Sequence, residues 1–233
     1  WQLFIMYIGY LGFFYLGLND GYYLKNGGKA YKDLDYSKLK SQVVFSFLIH
    51  FALAISIIVV LSAINIDPNK KFILILVALY LPFFNMKGFL DQSFQAVNRV
   101  KIHSISTILE RVLMLVGIIL LSSFSIDNYK IYIVIYVLTA LIALLYIIFS
   151  GKEIVKAPFL SLNETKKEGV DNIKLGFPLM MSAIIGMFIM GSSRQIIEIR
   201  WGIEVFSVIS LSISLMSFSL VFVTKSGLVL FPS

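Results

Sequence analysis

The sequence predicts an all-α fold, a polytopic membrane bundle with about seven transmembrane helices in this chain. Three observations predict it. Seven apolar stretches separated by short charged loops fill most of the 233 residues, and about 20 apolar residues let a helix cross a bilayer core roughly 30 Å thick. The composition is 58% hydrophobic and 14% charged, with a mean hydropathy of +0.88, where soluble domains carry about 25% charged residues. The short alternating segments of a membrane β-barrel are absent, which leaves helices as the way to satisfy backbone hydrogen bonds in lipid.

The first stretch, Leu3–Tyr23, carries Tyr7, Tyr10 and Phe14 at steps of 3 and 4, with Gly17 next. Such an aromatic face fills space or lines a cavity where sugars stack. The second, Val43–Ile64, holds His50, read as a satisfied core histidine. The third, Phe72–Leu90, contains Pro82, which should bend or loosen it. At its end Lys87 and Asp91 stand at i and i+4, a surface bridge with a snorkelling lysine or part of a substrate path. The fourth, Ile105–Phe124, carries Glu110 and Arg111. If it enters the membrane near Ile102, Arg111 lies about 14 Å deep. Neighbours about 100° apart cannot share one line of sight, so one is expected to face a cavity and the other an adjacent helix.

The fifth stretch, Ile131–Phe149, is read as a span from length and apolarity. The sixth, Ile173–Gly191, has Pro178 near its start, with Arg194 and Glu198 beyond its end at i and i+4. That pair is an interfacial anchor or a cationic gate. In the seventh, Val205–Val223, Ser207, Ser210, Ser214 and Ser217 form one small, weakly polar face. It suits close helix packing, and Ser210 and Ser214 are also candidates for lining a wet cavity. Lys225 reads as an orientation anchor.

Alternate loops carry twelve and five Lys and Arg residues respectively. The richer set holds Lys25 to Lys40, Arg99 and Lys101, and Lys152 to Lys174, and is expected on the cytoplasmic side. The first span then runs outside to inside. The net charge of +7 is assigned to these loops and to anionic headgroups, and nucleic acid is not expected as a partner. The polar connection at 150–172, with Pro158, is the expected boundary between two bundles, 1–149 and 173–233. The sequon Asn163-Glu164-Thr165 on that side is read as coincidence. The chain begins at Trp1 and ends just past the seventh stretch; it reads as a piece of a longer polytopic protein.

With no cysteine and two histidines, there is no thiolate site, no HExxH, no P-loop and no GxSxG. No cofactor, no metal site and no enzymatic activity are expected. Ionisable groups at membrane depth are costly, and function is sought there. Arg111, Lys87 and Arg194 are the candidates for a cationic substrate path, and Glu110, Asp91 and Glu198 for ion coupling.

From Leu16 to Tyr31 the chain reads LGLNDGYYLKNGGKAY. This resembles the end of the second helix of Wzx-like flippases of lipid-linked oligosaccharides, in the multidrug/oligosaccharidyl-lipid/polysaccharide exporter superfamily. NIKLGFPLMMSAIIGMFIMGSSRQIIEIRWGIEVFSVISLSIS, from Asn172 to Ser214, is similar to that family's seventh and eighth helices. Where the family often has Asp-Arg, this chain has Ser193-Arg194, so the basic residue is kept and the acid is not. The resemblance implies a complete protein of 12 to 14 spans in two bundles around a V-shaped cavity. It implies a multi-pass protein of the bacterial cytoplasmic membrane that moves polyprenyl-pyrophosphate-linked oligosaccharide by alternating access. Its partners would be that glycolipid, membrane lipids, a glycan polymerase and other envelope-assembly proteins. A multidrug or toxin exporter of the same fold, a membrane enzyme of glycan polymerisation or ligation, and a purely structural membrane subunit are the competing readings.

Overall fold

The computed structural model describes residues 1–230, with side chains throughout except at 187, 189, 190 and 218–230. All regular elements among the described residues are helical. They are α1 (Gln2–Tyr10), α2 (Leu18–Asn26), α3 (Tyr36–Ala63), α4 (Pro68–Ala96), α5 (Val100–Ser123), α6 (Tyr129–Ser150), α7 (Lys152–Lys156) and α8 (Leu162–Leu230), with 3-10 turns at Leu11–Tyr15 and Tyr31–Asp33. Helices α3 to α6 are each long and apolar enough to cross a membrane; two bent pairs raise the number to as many as six. The sequence suggested about seven. The difference lies in α8, whose described residues, holding the sixth and part of the seventh stretch, count as one bent pair.

Helix α4 is the hub, packing against α1, α2, α3, α5 and α6. It runs through Pro82 as a single span, so the expected disruption there does not divide the helix. One core, with Leu3, Phe4, Leu81, Ile133 and Phe206, fills the end that carries Trp1. Another, with Tyr22, Leu39, Phe89, Phe94 and Ile147, fills the opposite end. Outward faces stay oily: Leu48, Ile55 and Val59 on α3, and Ile108, Leu115 and Ile119 on α5, are exposed. Continuous apolar surface of this extent is stable against hydrocarbon and a liability in water. The chain is a multi-pass membrane protein.

The first expected span is broken. Leu16 (φ 52°) and Gly17 (φ 81°) are both left-handed, and the segments on either side, Gln2–Tyr15 and Leu18–Asn26, meet at 60°. Gly17 adopts that conformation freely because it lacks Cβ; Leu16 bears about 1–2 kcal/mol of strain. A break leaves backbone carbonyls without helical partners, and in lipid they need others. His50 Nε2 lies 3.0 Å from the Phe14 carbonyl, and Asn85 Nδ2 donates to the Leu11 carbonyl at 3.4 Å. His50 is thus a buried, bonded core histidine, its Nδ1 2.7 Å from the Ser46 carbonyl.

Helix α2 crosses α8 through glycine. A Cβ added at Gly21 would land in the carbonyl group of Asn172, and one at Gly176 in the backbone of Gly17 and Gly21. Gly17 and Gly21, four apart, and Asn172 and Gly176, four apart, form a small-xxx-small crossing with backbones in contact.

The connection at 150–172 is largely helical, holding α7 and the start of α8. Ser161 and Glu164 form a reciprocal capping box: the Ser161 backbone N–H donates to Glu164 Oε2 (3.2 Å) and the Glu164 N–H to Ser161 Oγ (3.3 Å). This box starts α8 at Leu162. Replacing Ser161 with Ala should weaken the first turn of α8 by about 1 kcal/mol, read as faster amide exchange at 162–166 with the spans unchanged. Lys225 lies outside the described side chains.

Near the other end of α8, Gly202 departs from helical geometry (φ 80°, ψ 175°). Arg194 and Ser217 line one cavity with Gly9 and Tyr10, although a straight helix would hold residues that far apart in sequence about 34 Å from each other. The chain therefore doubles back between them.

Candidate functional site

The densest group of ionisable side chains within the spans lies where α4 meets α5. Lys87 and Asp91 are one turn apart on α4, with Lys87 Nζ 3.1 Å from Asp91 Oδ2. The same ammonium lies 3.3 Å from Glu110 Oε2 on α5. These three side chains are only 14%, 10% and 10% exposed. His103 brings Nδ1 to 3.0 Å from Asp91 Oδ1, close in distance but without hydrogen-bond alignment. On α5 the buried residues Ser106, Glu110 and Met114 form a stripe of 4-residue steps; His103 precedes it by 3 in the same register. That stripe faces α4 and α6, and Ser106 Oγ donates to the Ala143 carbonyl of α6.

One lysine therefore bridges two carboxylates, and Arg111 balances the negative charge that remains. Its Nη2 is 4.0 Å from Glu110 Oε1, yet the Arg111 side chain is 65% exposed. Glu110 turns to the neighbouring helix and Arg111 points out of the packed core. Beside them stand the half-buried Tyr136 of α6, next to Arg111, and Tyr80 of α4. Tyr136 packs edge-on against Tyr80, Phe4 and Trp1, with centroids 6.4, 5.6 and 5.9 Å away. An exposed guanidinium beside a network that is neutral only with it included still offers a planar donor fork to an anion.

A second cation stands apart, toward α1. Arg194 lines a cavity of about 300 Å³ with Ile5, Met6, Gly9, Tyr10, Gly191 and Ser217. Its Nε has no hydrogen-bond partner among the described residues. Glu198 does not bridge to Arg194 as the i, i+4 spacing suggested; it pairs with Lys70 at the start of α4, at 2.7 Å. Tyr7 stands beside that pair. Tyr7, Tyr10 and Phe14 do not act as one stripe, because the break at Leu16 and the preceding 3-10 turn rotate Phe14 out of helical register. Tyr10 borders the Arg194 cavity, and Phe14 is exposed and presents its carbonyl to His50.

Along α8, Ser210 is buried with its hydroxyl unpartnered among the described residues. Ser214 donates to the Ser210 carbonyl. Ser207 borders a cavity with Trp1, Asp67 and Lys70, and Ser217 the one with Arg194.

At the opposite end of the bundle the loop lysines are engaged. Glu168 of α8 meets Lys25 at 2.6 Å and Lys38 at 3.9 Å, and Lys40 Nζ donates to the Val155 and Ala157 carbonyls at 2.8 Å. Arg99 lies 3.6 Å over the Tyr31 ring, and the Tyr31 hydroxyl donates to Glu153 Oε2 at 3.0 Å. The Glu153 carboxyl is held below its ordinary range by its own backbone N–H and then by Tyr31. The Tyr31 hydroxyl is pushed up, first by burial and then by Glu153. These contacts hold α7 and the start of α8 against the first six helices.

Three members of the picture escaped the sequence reading: the Lys87–Glu110 bridge, His103 and Lys70. The register of His103 with Glu110, seven residues on, was a usable signal. The other two depend on which helices become neighbours. Among the described residues no group of three His, Cys, Asp or Glu side chains could hold a metal ion.

A family model described as "Polysaccharide biosynthesis protein" matches residues 28–233. No curated protein and no solved structure matches the chain.

Proposed function

The chain belongs to the polysaccharide biosynthesis protein family, and on that premise we propose that it moves polyprenyl-pyrophosphate-linked oligosaccharide across the bacterial cytoplasmic membrane for polysaccharide or O-antigen export. The observation that carries the reading is a polar device within the spans, buried on one side and open on the other. Lys87 pairs with both Asp91 and Glu110, and Arg111, whose charge balances the carboxylate left over, stays exposed beside them.

The lipid tail of such a cargo is at home in hydrocarbon, and its charged headgroup is not. Arg111 is the proposed contact for the pyrophosphate, through paired N–H donors. Arg194, with Tyr10 beside it, is the proposed second contact nearer the far mouth. Lys87, held between two carboxylates, positions Glu110 more than it meets cargo. Rocking of one bundle against the other would open the path to each side in turn. Asp91, Glu110 and Glu198 stand in ion pairs, so each could exchange a proton or cation as its partner moves. The proposed partners are the glycolipid, membrane lipids, a glycan polymerase and other envelope-assembly proteins.

The test is Arg111→Ala in the full-length protein, scored by surface glycan. Because Arg111 is largely exposed and its pair with Glu110 is long, the variant should accumulate normally and lose most export. Normal glycan at normal protein level would remove Arg111 from the path. A labelled lipid-linked sugar crossing proteoliposomes unchanged supports transport; a lengthened or transferred glycan would replace this reading with an enzymatic one.

A further inference from the structure

The break between α1 and α2 lies against a polar seam that the charged network does not use. On α4, Asn85, Gly88 and Gln92 stand at i, i+3 and i+7, one stripe of the helix. Each meets the broken helix at a different height. Asn85 Nδ2 donates to the Leu11 carbonyl before the break, the Gly88 position lies against the Asn19 amide, and Gln92 Nε2 donates to Asp20 Oδ1 at 3.3 Å. The known partners of the Asp20 carboxylate are neutral: the Gln92 amide and the Tyr15 hydroxyl. Asp20 is 8% exposed, Asn19 3% and Asn85 1%. Asn19 Oδ1, Asn85 Oδ1 and Gln92 Oε1 are all buried without a hydrogen-bond partner among the described residues.

A buried carboxylate with no cation on it among the described residues, on a seam that also holds three buried amide oxygens without partners, is an expensive arrangement in a protein interior unless something completes it. What would complete it has a definite chemistry. The free groups are oxygens only, which suits a hard cation. They carry one formal negative charge, which matches a monovalent ion. The helix break adds to this: carbonyl ends of an interrupted helix present partial negative charge.

The geometry points to a Na⁺ site between the Asp20 carboxylate and the amide oxygens of Asn19 and Gln92, with Asn85 completing the seam at the break. Bound there, the ion ties the second arm of the broken helix to α4. As a binding site this stands independently of the transport reading; as the coupling site for export it rests on that reading.

The experiment is thermal unfolding of the full-length protein in detergent, titrated with NaCl, KCl or choline chloride at equal ionic strength. Wild type should gain about 2–4 °C in Tm with Na⁺ well above its dissociation constant, and not with choline. Asp20→Asn should lose that gain. Gln92→Leu should also lose it, and serves alone if Asp20→Asn does not fold. Identical curves in the three salts, a gain retained in both variants, or a Tm that follows pH and ignores Na⁺ would each overturn the site. A Na⁺ gain lost in Asp20→Asn whose glycan export stays normal keeps the site and removes its coupling role.

Discussion

Replacing Gly21 with leucine should leave little folded protein. Its Cβ would occupy the carbonyl group of Asn172, and both partners are backbone, so no side-chain rotation can make room. Overpacking a mobile neighbourhood typically costs about 1–3 kcal/mol. A backbone clash at a helix crossing should exceed the upper end of that range, because α2 must leave α8 and uncover Leu18 and Tyr22. Detergent-solubilised full-length protein should shift from a monodisperse peak to the void volume, or fall several-fold in yield. Gly9→Ala is the matched control. Nothing lies within 4 Å of a Cβ built there, so that variant should elute and melt like wild type. A monodisperse Gly21→Leu protein with unchanged Tm would mean that the α2–α8 crossing does not form in the membrane.

Lys87→Met is expected to be the most damaging substitution in the charged network. It leaves Asp91 and Glu110 buried without their shared cation, and removing one partner of a buried ion pair costs about 3–5 kcal/mol. Glu110→Gln combined with Lys87→Met should recover part of that loss, since the uncompensated charge falls from two to one. Non-additivity in this cycle, read from unfolding in mixed micelles, is the signature of a direct bridge. Additive effects would place the two residues in separate environments. Arg111→Ala should differ from both, with near-normal stability and lost export. The contrast separates a residue that holds the network together from one that meets cargo.

The membrane class and four of the spans were legible because lipid imposes rules that act on composition and length alone. The Lys87–Asp91 bridge was legible because i, i+4 spacing is a local property of a helix. The same rule failed for Arg194 and Glu198, since a tertiary neighbour, Lys70, lies closer to Glu198 than its helical one. Leu3–Tyr23 is apolar enough to look like one helix; no local pattern records that Leu16 and Gly17 turn left-handed, because His50 and Asn85, far along the chain, supply the hydrogen bonds that let the break persist in lipid.

Hydropathy and loop charge, read along the chain, determine that these segments leave water and in what order they do so. Only the packed structure decides that Gly21 and Gly176 are contact points, that Lys87 serves two carboxylates, and that Asp20 lies beside amide oxygens with nothing bonded to them. The physical reason is range: transfer into hydrocarbon is additive over neighbouring residues, whereas ion pairs, backbone contacts and orphaned polar atoms depend on helices brought together from 23 to 159 residues apart.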